Sequence, residues 1–188
     1  MATQEWWLTT DRLALRRFTA EDLDFLADLY ADPEVTRHLG GTRDRTQAEE
    51  LLNTRILDYY EVHPGLGIWM TIERATGQRV GFHLLNHIQG ETIVQVGFTL
   101  GKPAWGRGYG TEMARALLRH GFVGLALPRI VAIANLDNYA SQNVLRKIGL
   151  RRNGERAFPH PAYAAAGPMA WFERDRDDWL AEQPDDSV

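Results

Sequence analysis

The chain has 188 residues, enough to bury one sizeable hydrophobic core. Its 21 basic residues are outnumbered by 25 acidic ones, so it lacks the basic excess that binding to phosphate backbones requires. It contains no cysteine, which excludes disulfides, thiolate metal sites and thiol nucleophiles. There is no basic leader, and no stretch approaches the roughly 18 apolar residues of a membrane span. We therefore expect a single cytoplasmic domain over residues 1–180 with a frayed acidic tail at 181–188, and no nucleic-acid partner, membrane partner or metal.

The first half of the chain predicts a strand, two amphipathic helices and a meander. Leu13 and Leu15 alternate with smaller or charged residues, which is typical of a half-buried strand. A capping pattern at Thr19 begins a helix that ends before Pro33, and apolar residues share one face of a second helix at 46–61. Short turns separate three further strands and indicate antiparallel pairing, over residues 68–74, 79–88 and 92–100.

The second half predicts two more helices and the strands around them. Residues 111–125 carry the strongest helical pattern in the chain. The unbroken apolar run 130–134 indicates a central strand covered on both faces. A further helix ends at Gly149, whose residue type suits a helix C-terminus. Two final strands flank a proline-containing loop at 159–168, and the second of them covers 169–174.

A glycine-rich segment lies between a predicted strand and the strongest helix; we call residues 105–111 the glycine loop. Free amides and the positive end of the helix dipole make such a loop an anion site. The dinucleotide fingerprint G-x-G-x-x-G fails in either register, because Thr111 or Met113 holds the third glycine position. The lysine and hydroxyl pair of a triphosphate-binding loop is also missing. A turn that only connects strand to helix is the alternative.

Two segments give this loop a context. Over residues 94–110 and 135–150 the chain resembles the GNAT acetyltransferases, and within them the RimJ/RimL-like ribosomal-protein N-terminal acetyltransferases. The phosphate signature of that family ends in Gly, any residue, then Gly or Ala, and Gly108 and Gly110 fill these positions while Trp105 fills the first. The resemblance extends over nearly the whole chain. It implies an α+β fold, a three-layer α/β/α sandwich whose mixed, mostly antiparallel sheet has about seven strands flanked by four helices.

By similarity, the co-substrate is acetyl-CoA and the acetyl group passes directly to a primary amine in a ternary complex. The pyrophosphate would bind the amides of the glycine loop, and the pantetheine arm would add like a short strand to the edge of the fourth strand. Arg107 is either a phosphate ligand or a solvated loop arginine, and Asn138 either bonds to the arm or caps a helix. The implied cofactor-binding residues are Val96, Gly97, Phe98, Trp105, Gly106, Arg107, Gly108, Tyr109, Gly110, Thr111, Asn138 and Ser141.

The group that faces the departing thiolate differs from the commoner family pattern. Many members have a tyrosine seven residues after the asparagine, and Leu145 stands there in this chain. Ser141 lies one turn earlier on the same face, and the resemblance implies that its hydroxyl donates a hydrogen bond to the sulfur. The alternative is a helix serine bonded to its own backbone.

The base is also unusual. Gln95 stands where related proteins often carry glutamate, and an amide cannot accept the amine proton. His83 and His87 share a face of one predicted strand and are candidate catalytic bases, directly or through water, with Glu91 and His160 as less favoured candidates. For each histidine, a surface or core role is the alternative.

The absence of a strong base bears on the acceptor. Deprotonating a lysine of pKa about 10.4 at pH 7 costs roughly 4.6 kcal/mol, whereas an α-amine near 7.8 costs only about 1 kcal/mol. We therefore expect an α-amine, of a protein N-terminus or a small molecule. The predicted acceptor-binding residues are Trp69, His83, Tyr163 and Trp171. A non-catalytic acyl-CoA-binding or regulatory module is the alternative function, and the chain would be a monomer or homodimer.

Overall fold

The computed structural model describes residues 5–183 and contains one continuous sheet of eight strands. The strands are β1 (Leu8–Thr9), β2 (Leu13–Arg17), β3 (Gly67–Glu73), β4 (Arg79–His87), β5 (Val94–Leu100), β6 (Arg129–Asn135), β7 (Arg151–Arg156) and β8 (Met169–Asp175). Their order is β1-β2-β3-β4-β5-β6-β8-β7, and neighbouring strands are antiparallel except β5 and β6, which are parallel. The predicted α+β fold with a mixed, mostly antiparallel sheet is confirmed.

Helices cover both faces of this sheet. They are α1 (Leu23–Ala31), α2 (Arg45–Leu51), α3 (Asp58–Val62), α4 (Tyr109–Arg119), α5 (Tyr139–Lys147) and α6 (Arg176–Ala181). Wider π-helical turns join α2 to α3 and extend α4, at Leu52–Leu57 and His120–Gly124, and single 3-10 turns lie at Ala20–Asp22, Lys102–Ala104 and Pro161–Tyr163.

The alternation of side chains along β4 separates the layers. Tyr30 of α1 packs against Phe82, with ring centroids 6.3 Å apart. Gly121, in the turn after α4, packs against Leu85 and Ile130. Since Phe82 and Leu85 are an odd number of residues apart on one strand, their side chains point to opposite faces. The sheet is therefore the middle layer of three.

The element count differs from the prediction in two places. The additional strand is the two-residue β1, which is too short to show a periodic pattern. The additional helix is α6, for which the sequence pattern predicted no element; Trp179 anchors it by packing its ring 5.3 Å from that of Phe122. The predicted tail at 181–188 lies mostly outside the described residues, since Ala181 ends α6 and the description stops at residue 183.

The sheet opens between its two parallel strands. Among residues 5–183, the β5–β6 ladder has a single bridge, between Gln95 and Val131. Beyond it, residues 96–100 of β5 pair with β4 on one side only. Parallel strands end at the same edge of a sheet, so the loops that follow β5 and β6 lie at the same end. We call the space between these strands the opening.

The core has two parts. The larger part is buried between the sheet and its helices, and a smaller cluster lies at the start of the opening, formed by Ile88, Val131, Phe158, Met169 and Trp171. No helix among the described residues is long and apolar enough to cross a membrane.

Candidate active site

The glycine loop contains left-handed backbone and leads directly into α4. Gly106 and Gly108 have φ angles of 72° and 78°, in the left-handed region that favours glycine, and Gly108 is the N-cap of α4. The first hydrogen bond of the helix runs from the Glu112 amide to the Gly108 carbonyl at 3.0 Å. The amides before it have no intrahelical acceptor, and together with the helix dipole they suit an anion.

The close approach of α4 to β5 requires another glycine. A Cβ at Gly110 would lie 3.1 Å from the ring of Phe98. Trp105, at the start of the loop, is 46% exposed, and its indole N–H donates to the Leu100 carbonyl at 2.7 Å. The start of α4 thus sits directly on the free half of β5, and the loop and the β5 edge form one surface.

The Arg107 side chain is 46% exposed, and its charged end contacts the protein. Its guanidinium donates to the buried Glu73 carboxylate and lies over the Tyr109 ring, 4.5 Å from the centroid. The Tyr109 hydroxyl donates to the same carboxylate. The sequence left open a phosphate ligand and a solvated loop arginine. The structure shows a partly exposed arginine paired with Glu73, and the phosphate role stays a prediction.

Two other cations lie beside the loop, and the sequence patterns did not indicate them. A groove of about 650 Å³ is lined by Asp11, Arg12, Gly108, Thr111, Glu112, Arg115 and Lys147. Arg12 pairs with Glu112 at 2.6 Å, whereas Arg115 donates to the Lys147 carbonyl at 2.6 Å. In the described part of the chain, neither Arg115 nor Lys147 has a carboxylate at ion-pair distance. Thr111 and Arg115 are four residues apart, so they share one face of the predicted helix. This spacing is the one sequence feature that groups two residues of the groove.

The loop after β6 caps α5 at the same end of the sheet. The Asn138 side-chain oxygen accepts from the Ser141 amide at 3.1 Å, which makes Asn138 the N-cap. Ser141 is half-buried in the first turn, and Leu145 is buried one turn later. The capping role that the sequence left open for Asn138 is therefore present in the structure.

The structure corrects two of the predicted acceptor residues. Trp69 is 1% exposed and stacks on Trp7 with ring centroids 3.9 Å apart, and His83 is fully buried. The Thr71 hydroxyl is hydrogen-bonded to His83 Nδ1 at 2.7 Å, and burial lowers the pKa of His83 to about 3. The face of the sheet that carries both side chains is covered by α4 and by the N-terminal segment, so neither lines a pocket open to an acceptor and His83 is not an accessible base.

His87, by contrast, lies in a partly open polar cluster at the end of β4. Its Nδ1 is 2.6 Å from the Tyr59 hydroxyl, and its ring centroid is 4.8 Å from that of His63. The Tyr59 hydroxyl also accepts from the His87 amide at 2.9 Å. Burial first, and then the neighbouring His63, lower the pKa of His87. The imidazole therefore favours its neutral form, which can accept a proton.

Tyr163 folds over the start of β5. Its hydroxyl accepts from the Gln89 amide at 3.2 Å. Burial raises the pKa of Tyr163, while the Gln89 amide, the charge of Arg55 and the Gln95 side chain oppose that rise. Tyr163 thus lies beside Gln95, and α2–α3 contributes Arg55 and Tyr59 to the same region.

The remaining candidates already have partners. Trp171 is 8% exposed and belongs to the small core cluster, with its indole N–H donating to Glu173 at 2.7 Å. Glu91 pairs with Arg156 at 2.8 Å, and the His160 Nδ1 accepts from the Ala162 amide at 3.1 Å. Within residues 5–183, no group of three or more His, Asp or Glu side chains is arranged to hold a metal ion.

A sheet that opens between two parallel strands, with a glycine-rich helix start at the opening, is the arrangement that the resemblance implied for an acetyltransferase. A family model described as an acetyltransferase (GNAT) domain matches residues 12–151. The N-acetyltransferase YoaA of Bacillus subtilis (strain 168) is 31% identical over 153 residues, which are 78% of this chain and 84% of YoaA. The chain therefore belongs to the GNAT acetyltransferase family and is an N-acetyltransferase.

Solved structures agree with this assignment. An acetyltransferase of Agrobacterium tumefaciens str. C58 superposes with a TM-score of 0.74 at 26% identity, covering 89% of this chain and 92% of that one. RimL, a ribosomal L7/L12 alpha-N-protein acetyltransferase solved with coenzyme A, has a TM-score of 0.74 at 17% identity, covering 91% of this chain and 98% of that one. The second likeness is evidence for the fold. Membership of an enzyme family removes the support for a non-catalytic module.

Proposed function

We propose that this chain transfers the acetyl group of acetyl-CoA directly to an α-amine within a ternary complex. The observation that carries the proposal is the shared surface of the glycine loop and the free half of β5. The glycine loop has amides that suit an anion, and the free half of β5 has an unpaired strand edge. Acetyl-CoA contains a pyrophosphate that fits the first and an adjoining amide-containing arm that fits the second.

The glycine loop would hold the pyrophosphate on the amides of residues 106–111. The pantetheine arm would run along Val96, Gly97 and Phe98, where β5 lacks a neighbour on the β6 side. Arg115 and Lys147, in the groove beside α4, supply charge for the remaining phosphate. Acetyl-CoA supplies the activated acyl group, and the protein aligns its carbonyl with the amine.

The transfer requires that the amine lose a proton and that the leaving sulfur be stabilised. The amine nitrogen attacks the thioester carbonyl carbon, the carbon–sulfur bond breaks, and the sulfur leaves as a thiolate. We assign the amine proton to His87, through water, because its imidazole favours the neutral form and is half-buried opposite Val94, next to the Gln95 bridge where the opening begins. Ser141 donates a hydrogen bond to the departing sulfur, which stabilises the thiolate without having to surrender its own proton.

The weakness of the base favours an α-amine over a lysine side chain. His87 has a lowered pKa, so it removes a proton readily only from an amine that is itself weakly basic. The RimL structure, whose named acceptor is a protein α-amine, shares this fold and holds coenzyme A.

An assay of thiol release over a panel of amines tests the proposal. The panel pairs peptides with a free α-amine and no lysine against peptides with a blocked N-terminus and one lysine, together with small α-amines. We expect release of coenzyme A only with free α-amines. Faster turnover of the lysine peptides would contradict the acceptor class, and binding of acetyl-CoA without turnover on any amine would contradict the proposed activity.

A further inference from the structure

A buried carboxylate lies directly beneath the glycine loop. Glu73, the last residue of β3, is 6% exposed. It accepts hydrogen bonds from the hydroxyl of Tyr109, the guanidinium of Arg107 and the hydroxyl of Thr76, the last at 2.7 Å. The Tyr109 hydroxyl, followed by that of Thr76, lowers the pKa of Glu73, so the carboxylate is ionised at neutral pH. No proton-transfer step uses this group.

The partners of Glu73 stand on both sides of the residue that shapes the loop. Arg107 precedes Gly108 and Tyr109 follows it, so one carboxylate holds the two neighbours of the left-handed N-cap. Arg12 completes the support: it donates to the Arg107 carbonyl at 2.9 Å and lies over the Tyr109 ring, 4.8 Å from its centroid. These contacts tie both neighbours of Gly108 to Arg12, which precedes β2, and to Glu73, which ends β3.

The ion pair between Glu73 and Arg107 determines the net charge beside the proposed pyrophosphate site. An unpaired carboxylate so near a pyrophosphate site would repel the ligand, whereas the Glu73–Arg107 pair carries no net charge. Attraction for the phosphates is then left to the loop amides, the helix dipole and the groove cations Arg115 and Lys147. Charge-assisted bonds to a buried carboxylate are stronger than bonds between neutral groups, so they suit the fixing of a loop.

We propose that Glu73 is a positioning residue for the acetyl-CoA site: by holding Arg107 and Tyr109 it fixes the turn at Gly108 and keeps the amides of the glycine loop directed at the pyrophosphate. This inference rests on the proposed binding of acetyl-CoA. Glu73 touches neither the thioester nor the amine, and its effect is confined to the phosphate-bearing part of the ligand.

The test compares two acetyl donors in Glu73→Gln, which keeps the side-chain shape and removes the charge. Acetyl-CoA contains the pyrophosphate, and S-acetylpantetheine has the same arm and thioester without it. We expect the acetyl-CoA dissociation constant, measured by calorimetry, to rise about tenfold, the loss expected for a charged hydrogen-bonding group. With S-acetylpantetheine, kcat/KM should stay within about twofold of the unaltered chain, because that donor does not reach the loop. The matched control is Glu49→Gln, an exposed carboxylate on α2, which should change neither value.

Three outcomes would overturn the proposal. Unchanged or tighter acetyl-CoA binding in Glu73→Gln would mean that Arg107, once released, binds the phosphates itself. Equal losses with both donors would mean a structural role only. In a double-mutant cycle with Tyr109→Phe, additive losses would show that the two residues do not act as one unit. The calorimetric measurement needs no acceptor, so it distinguishes a failure of this inference from an error in the acceptor class; an unaltered chain that binds no acetyl-CoA would overturn the proposed function itself.

Discussion

At the scale of single residues, burial separates the two histidines that the sequence could not. His83 and His87 share a face of β4, yet His83 lies under α4 with a pKa of about 3, whereas His87 lies at the strand end among polar side chains. A side chain must meet water or substrate to exchange a proton. The site therefore retains one candidate base, together with one serine at the start of α5.

Ser141→Ala tests the serine. A hydrogen bond to the developing thiolate is made mainly in the transition state, so its loss should lower kcat about tenfold and change the KM for acetyl-CoA little. Steady-state kinetics with a peptide α-amine measure both values. Ser141→Thr, which keeps the hydroxyl, is the control and should retain most of the activity. Equal kinetics in Ser141→Ala and the unaltered chain would remove Ser141 from the mechanism.

The pH dependence of kcat tests His87. The group must be neutral to act and its pKa is lowered, so activity should fall only when the pH drops through a value below the ordinary 6.5 of histidine. His87→Gln should lose about a hundredfold in kcat, the usual effect of removing a general base, and with it this acidic limb. His63→Gln removes a neighbour that lowers the His87 pKa, so it should move the limb to higher pH. A limb that does not respond to either change would show that another group is the base.

At the scale of elements, two helix starts and two parallel strand ends define the site. Local chemistry fixes each part: left-handed glycine before α4, an asparagine cap before α5, and an edge of β5 that pairs on one side only. The left-handed conformation at Gly108 shapes the proposed pyrophosphate site, and a residue with a Cβ is strained in it. A substitution at Gly108 therefore tests whether this backbone shape is needed for ligand binding.

Gly108→Ala and Gly154→Ala form a matched pair. Both glycines have left-handed φ angles, 78° and 81°, so each substitution should cost about 1 kcal/mol of stability. Gly154 lies at the irregularity in β7 with open space around it, far along the chain from the loop. Thermal unfolding should show similar losses for both, and calorimetry should show weaker acetyl-CoA binding for Gly108→Ala alone. Equal acetyl-CoA binding by the two variants would show that the loop conformation at Gly108 is not needed for ligand binding.

At the scale of the whole molecule, the sheet is continuous but is held across its centre by one bridge between β5 and β6. The two halves are otherwise connected by the helices packed on them, of which α4 and α5 meet where Arg115 reaches the Lys147 carbonyl. A ligand whose arm pairs with β5 would add backbone hydrogen bonds where the sheet lacks them.

Acetyl-CoA should therefore stabilise the whole fold. At a ligand concentration about 100 times the dissociation constant, mass action adds about 2.7 kcal/mol to the free energy of unfolding. For a chain of this size the increase corresponds to a rise in Tm of roughly 5–10 °C. Hydrogen exchange should show the protection concentrated at residues 96–98 and in the glycine loop. Protection confined to the loop would contradict the position of the pantetheine arm along β5.

Features that depend on neighbours along the chain were predictable from the sequence. Strand alternation, helix stripes, caps and glycines repeat over a few residues, so they predicted the meander, the anion loop, the start of α5 and the resemblance to the GNAT family. They also placed His83 and His87 on one face correctly. These patterns do not predict which face of a strand or helix another element will cover.

Features that join distant residues became visible in the folded chain alone. Three features depend on strand register and on how α4 packs over β4 and β5: the pairing of Glu73 with Arg107, the cations Arg115 and Lys147 in one groove, and the burial of His83. Such contacts join positions tens of residues apart, and patterns that repeat over a few residues do not specify them. Arg107 is the clearest case: its place in the loop motif predicts a phosphate ligand, and the fold also pairs it with a carboxylate 34 residues earlier in the chain.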